Sequence, residues 1–335
     1  MNQQPKRASS IVHQVFELLR DHCTDGPRGR ERFVRQCNAV LAATALDPGQ
    51  PAAASWARSW DKPLYANQRA QRATEVAERI RRTPGLFADP MHLPDDPSCL
   101  DGLRAPRLKL DRVRLLGQHW ADLHNLHEQA ATAAHRLLAG GSYGEAVVET
   151  RRHLGVPGFR RPDTKHTLFD ALTALHGMGP ITSLHLLTDL GYPVYKPDRW
   201  VVRFAAVDPS CRAELEHRLP PGCDLERLDA AYLLRHLDLV CIAVDLLTSA
   251  FRQGPAPQGI AMSDADFRAY RFVDLMVAKF GMRPEESFGL LTSGKDWLLA
   301  APPAEAARFP ALQMIAHEMQ MSLQARRRPK SAGGL

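Results

Sequence analysis

No run of about 18 apolar residues occurs in the chain, so no segment reads as a membrane-spanning helix. The first residues, MNQQPKRASS, lead into charged, helix-like sequence rather than the apolar core of a signal peptide. Neither secretion nor membrane insertion is expected. Cysteine is scattered: Cys23, Cys37, Cys99, Cys211, Cys223 and Cys241 form no CxxC pair, which leaves neither a zinc site nor a disulfide framework to expect. A reducing cytoplasm is the simplest location. A Walker loop, a Rossmann fingerprint and GxSxG are all missing, and His317-Glu318 lacks the second histidine of HExxH chemistry. His119, His124, His127 and His135 share one helical stretch, but no nearby motif supplies further ligands, so no metal is expected. Period-2 alternation and internal repeats are missing as well, and a mainly α fold follows.

What is present suits a globular protein able to bury a substantial core. The chain has 335 residues, of which 44% are hydrophobic and 24% charged, and its 25 prolines imply many helix stops. A net charge of +6 would attract a polyanion and strengthen its binding by counterion release. Many proteins carry such a charge without touching nucleic acid, so charge alone decides nothing.

Three regions can be drawn. Residues 1–110 hold two helices over 11–46, separated by Asp25-Gly-Pro-Arg-Gly, then a turn-rich stretch around a helix at 66–82. Residues 111–254 hold one helix at 111–139, another at 143–154, a hairpin region at 166–190 and an apolar helix at 228–252. Residues 255–335 hold helices near 263–280 and 304–325 and a basic tail, RRRPKSAGGL, of disordered composition.

The informative segment is 166–206. Leu168, Leu172 and Leu175 make one apolar face, Gly177 ends that helix, and Gly179 keeps the turn free of side chains. Pro180 suits a first helical position, Ile181, Leu184, Leu187 and Leu190 give a second buried face, and Gly191 closes it. Two helices joined by Gly-Met-Gly leave N–H groups exposed where a phosphate could approach the second helix start. The competing reading is an αα-corner whose glycines serve packing. Asp198, before a helix starting near Arg199, has the chemistry to stabilise positive charge on a sugar and to orient water. It is equally suited to serve as a plain helix cap.

LxGMGPxTS followed by PxxKPDRW resembles the helix-hairpin-helix DNA glycosylase superfamily, often called HhH-GPD, over about 40 residues, with a vaguer likeness from roughly 139 to 252. The resemblance implies two helical subdomains flanking a DNA-binding cleft, and an essential Asp at position 198, 19 residues past Gly179. It makes Gly177, Met178, Gly179, Ile181 and Thr182 the phosphate clamp. Lys196, Arg199 and Arg203 are further candidate DNA contacts. A target base must be flipped out to be reached, and Trp120, Tyr192, Tyr195 and Trp200 are candidates to stack on it, although aromatics at such spacings are more often core. Bifunctional members carry a lysine where this chain has Ile181, and Lys165 and Lys196 do not match that position, so water is the expected nucleophile and lyase activity is not expected. No four cysteines follow Cys241 to hold an iron–sulfur cluster, and no cofactor is expected. The chain departs from the common pattern at His176, where Pro is frequent, and at Arg199-Trp200, where Thr-His often follows. The expected partner is double-stranded DNA, with no membrane and no protein partner. Alkylated purines, oxidised guanine and a hypermodified base of phage DNA stay open as substrates, and a noncatalytic DNA-binding protein is the competing class. The run Arg104, Arg107, Lys109, Arg112 and Arg114 reads as a solvated face.

Overall fold

The computed structural model describes residues 9–66, 70–160, 166–219, 225, 228, 230–263, 266–282 and 286–327. Lys165, Cys223, most of MNQQPKRASS and most of the basic tail lie outside them. Among the described residues, seventeen α-helices and three 3-10 helices carry the fold, and Thr24 and Leu290 form an isolated antiparallel bridge. The protein is mainly α-helical. No described helix is long and apolar enough to cross a membrane.

The chain divides into two compact units. One comprises Met1–Ala43, Asp198–Met262 and Arg268–Leu335. In it, the helix Ile11–His22 buries Ile11, Val15, Phe16, Leu18 and Leu19 against the helices Gly26–Ala43 and Arg268–Gly281. Phe16 meets Phe33 and Phe272 at ring distances of 5.7 and 5.9 Å, and Phe251 stacks on Phe272 at 4.9 Å. The start of the Ile11–His22 helix is capped from far along the chain, where buried Asp208 accepts from Ile11 N–H at 2.7 Å.

The second unit comprises Thr44–Pro197 and Ser263–Phe267. Its long helix, Trp120–Gly140, packs on the helices Ala52–Ser59, Tyr143–Leu154 and Leu168–Ala174. Trp56 and Trp120 meet edge to face at 5.3 Å, and the Trp56 indole donates to Phe87 O at 2.9 Å. Ser142 and Glu145 form a reciprocal capping box that starts Tyr143–Leu154. These units cut the chain differently from the division at 110 and 254, because the first and last helices of the chain share one core.

Several element boundaries also differ from the periodicity. The helix expected at 111–139 is two, Pro106–Gln118 and Trp120–Gly140, broken at His119; the 228–252 helix breaks at His236. A one-residue break leaves the apolar positions on both sides at helical spacing, so the pattern runs across it. Gly26-Pro-Arg-Gly, expected as a connection, is the first turn of a helix, a place where proline's missing N–H costs nothing. The helices Ala52–Ser59 and Gly294–Ala300 were not expected.

Candidate functional site

The helix Leu168–Ala174 opens on a capping box between Thr167 and Asp170. A turn over Leu175–Gly179 then leads into the helix Pro180–Asp189. The turn is pinned from beneath: Met178 is fully buried, its N–H donates to Leu175 O at 3.0 Å, and the Ser183 hydroxyl donates to Met178 O at 2.8 Å. Gly177 holds φ +92°, and a Cβ there would stand 2.3 Å from Arg112 Cδ. Both facts demand glycine.

Gly179 is different. It precedes Pro180 at φ −58°, ψ 171°, offers no side-chain cap, and has open space where a Cβ would stand. A helix start leaves its first N–H groups without intrahelical partners, and here those belong to Gly179, Ile181 and Thr182. The first bonded amide is Ser183, donating to Gly179 O at 3.0 Å. Ile181, expected on the buried face, is 39% exposed; Leu184, Leu187 and Leu190 are buried as expected, joined by Ser183 and Leu186. An apolar residue at N2 of the helix thus sits beside bare amides, because the buried arc begins one turn later.

Gly191 closes the second helix at φ +93°, with Thr44 O and Leu46 N each 2.5 Å from its would-be Cβ. The extended link that follows is clamped. The Tyr192 hydroxyl donates to His127 O at 3.0 Å and lies 2.8 Å from His127 Nδ1, the Thr188 hydroxyl donates to Val194 O at 3.2 Å, and fully buried Arg151 donates through Nε to Pro193 O at 2.7 Å. Burial pushes the Tyr192 hydroxyl well above its ordinary pKa, and burial, with His124 and Arg58 as like charges, lowers His127 to about 4. Both groups are neutral near pH 7.

The unit boundary falls between Pro197 and Asp198. Asp198 caps the helix Arg199–Val207, its Oδ1 accepting from Trp200 N–H at 2.9 Å. Oδ2 has no hydrogen-bond or ion-pair partner among the described residues, and the side chain is half-buried. Two expected DNA contacts are already engaged within this unit: Arg203 pairs with Glu318 at 2.8 Å, and Arg199 bonds the Ser322 hydroxyl while its guanidinium lies 4.4 Å over the Trp200 ring. The sequence hid this, since Glu318 and Ser322 lie more than a hundred residues away on the helix Pro310–Arg327. Lys196 is half-buried on the link.

Of the four candidate stacking residues, three are core. Trp120 is 4% exposed with its indole donating to Ala52 O at 3.0 Å, and Tyr192 and Tyr195 are 1% and 2% exposed, so none presents an open face. Packing won, as it commonly does for aromatics on helical stripes. Trp200 alone is half-open, and Arg199 covers one of its faces.

His124 and His127 lie 6.0 Å apart, but His124 is taken by Ser55 at 3.0 Å and Glu128 at 3.4 Å. Among the described residues no three His, Cys, Asp or Glu side chains are grouped to hold a metal. Beside the glycine turn, two open cavities of about 340 and 380 Å³ share Leu108 and Arg112; His176 lines the first, and Arg104 and Lys109 line the second. Sequence reading left Arg112 on a solvated face with the rest of its basic run. The signal was there in the helical spacing: Asp111 stands four residues after Arg107 and three before Arg114, while Arg112 has no carboxylate at either spacing.

Compared with protein families, curated proteins and solved structures, the chain shows no match to any of them.

Proposed function

We propose that this protein is a monofunctional DNA glycosylase of the helix-hairpin-helix type, with the DNA-binding cleft that the resemblance implies. The observation that carries the reading is the uncapped start of Pro180–Asp189, bounded by an open Gly179, which offers amide N–H groups and a helix dipole to a backbone phosphate. Asp198, 19 residues on, supplies a carboxylate with one oxygen fixed by a cap and the other uncommitted.

In the proposed reaction a flipped nucleotide loses its base at C1′. The C1′–N bond breaks, its electron pair and a proton leave with the base, and water adds its oxygen to C1′. The Asp198 carboxylate stabilises the positive charge on the sugar and orients that water. Ile181 stands where a Schiff-base lysine would be needed, so the strand stays intact and an abasic site is the product. The base is a damaged one or a hypermodified base of phage DNA.

The second reading, a noncatalytic DNA clamp, is favoured by one observation: Asp198 already works as a helix cap. Mass spectrometry of bases released from damaged DNA and from phage DNA with modified bases separates the two. Wild type should free a base and Asp198→Asn should not, with DNA affinity equal in both. No release from any DNA, alongside intact binding, would leave the clamp.

A further inference from the structure

Most cations of the helix Pro106–Gln118 are already satisfied. Arg107 reaches Asp111 at 3.5 Å and donates to Asp95 O at 3.1 Å; Arg114 donates to the Asp95 carboxylate and to Pro94 O, both at 2.5 Å. Lys109 is buried, with its ammonium donating to Leu64 O at 2.5 Å and Ala66 O at 2.8 Å. Arg112 has no hydrogen-bond or ion-pair partner among the described residues, and its Nε is buried without an acceptor. A buried donor left unpaired costs about 1–3 kcal/mol. Its stem fills the space beneath Gly177, so the guanidinium is held next to the turn and borders both cavities. Asp111 also lines the first cavity, but it pairs with Arg107 at 3.5 Å and Arg114 at 3.9 Å; burial and the Arg112 charge together lower Lys109 to about 8.

A planar guanidinium fork suits a phosphate's oxygens, and an anion in the cavity would give the Arg112 charge the partner it lacks. We propose that Arg112 binds a backbone phosphate of DNA in the cavity it shares with His176, extending the strand contact from the glycine turn onto the helix Pro106–Gln118. The ligand class rests on the DNA reading given above; the site rests on the unpaired guanidinium and the open cavities around it.

The test uses the full chain and a short duplex, with affinity measured across a salt series. Each phosphate neutralised contributes about 0.9 to the slope of log affinity against log salt. Arg112→Met, which keeps the stem under Gly177, should bind more weakly with a slope shallower by about that amount. Arg112→Lys should restore the slope, and Arg82→Met, removing an exposed cation just past the helix Ala70–Arg81, should leave it unchanged. Thermal melting checks that each variant is folded. If Arg112→Met does not fold, the Nε resonance of Arg112 in the wild type, assigned by its loss in Arg112→Lys, should shift when DNA is added. A folded Arg112→Met with the wild-type slope, or an unmoved Nε signal, overturns the proposal. DNA binding that depends on Arg112 without base release would sink the glycosylase reading and leave this site standing. A wild type that binds no DNA but is stabilised by inorganic phosphate through Arg112 would overturn the assignment to DNA.

Discussion

Gly177 and Gly179 are two residues apart and carry opposite constraints. Gly177→Ala would place a methyl group against Arg112 at a positive φ, and a loss of about 1–3 kcal/mol in chemical denaturation is expected. Gly179→Ala meets nothing within the protein, so stability should stay within about 0.5 kcal/mol of wild type. DNA affinity should still fall, since the added methyl stands where a phosphate would approach. Equal affinity in the Gly179 variant would argue against the turn as a clamp. The sequence placed both glycines in a turn, but it could not separate them: one is dictated by Arg112, a contact 65 residues away, and the other by nothing inside the molecule. His127 yields a pH prediction. Its folded pKa of about 4 lies below the ordinary 6.5, so the unfolded chain takes up the proton first as pH falls. Stability should therefore drop between about pH 6.5 and 4 and level off below, each pKa unit being worth about 1.4 kcal/mol. Melting temperatures of His127→Asn, which can keep the Tyr192 contact, should vary less across that window than those of wild type.

At the level of elements, the helix Pro180–Asp189 is tied down at its far end by a buried charge network. Lys62, on the 3-10 helix Lys62–Tyr65, bonds Asp189 and lies 3.4 Å from Asp61, which Arg81 also reaches at 2.6 Å. Burial opposes the Lys62 charge, but the two carboxylates overcome that and raise its pKa. Lys62→Met would take the buried ammonium from Asp189 and leave Asp61 to Arg81, and a loss of about 3–5 kcal/mol is expected in urea unfolding. A loss below about 1 kcal/mol would show the network to be incidental. None of this was legible beforehand, because Lys62 and Asp189 are far apart in sequence. Local signals read better. The helix Tyr143–Leu154 matches its expected bounds because Ser142, Glu145 and Gly155 mark both ends within the segment itself. The breaks at His119 and His236 carry no comparable residue signature.

Over the whole molecule, the helical class was legible from periodicity, whereas the partition into units was not. That partition depends on Ile11–His22 sharing a core with Arg268–Gly281, and on Asp208 capping the first helix, both long-range facts. Asp208→Ala should leave the Ile11 N–H buried and unpaired, lowering stability by about 1–3 kcal/mol in thermal melts. The turn around Gly177 and Gly179 and the helix start at Asp198 were legible from spacing, whereas the packing of the nearby arginines and aromatics was not. Arg203 answers to Glu318, and Tyr192 to His127.

The central claim is that the Asp198 carboxylate removes a base, and counting abasic sites in duplex DNA with an aldehyde-reactive probe tests it most directly. Asparagine caps helices nearly as well as aspartate, so Asp198→Asn isolates the chemistry from the fold. The account predicts abasic sites that accumulate with wild type on a susceptible DNA and vanish with an equally stable, equally tight-binding Asp198→Asn. Sites forming at the same rate with both proteins would contradict it.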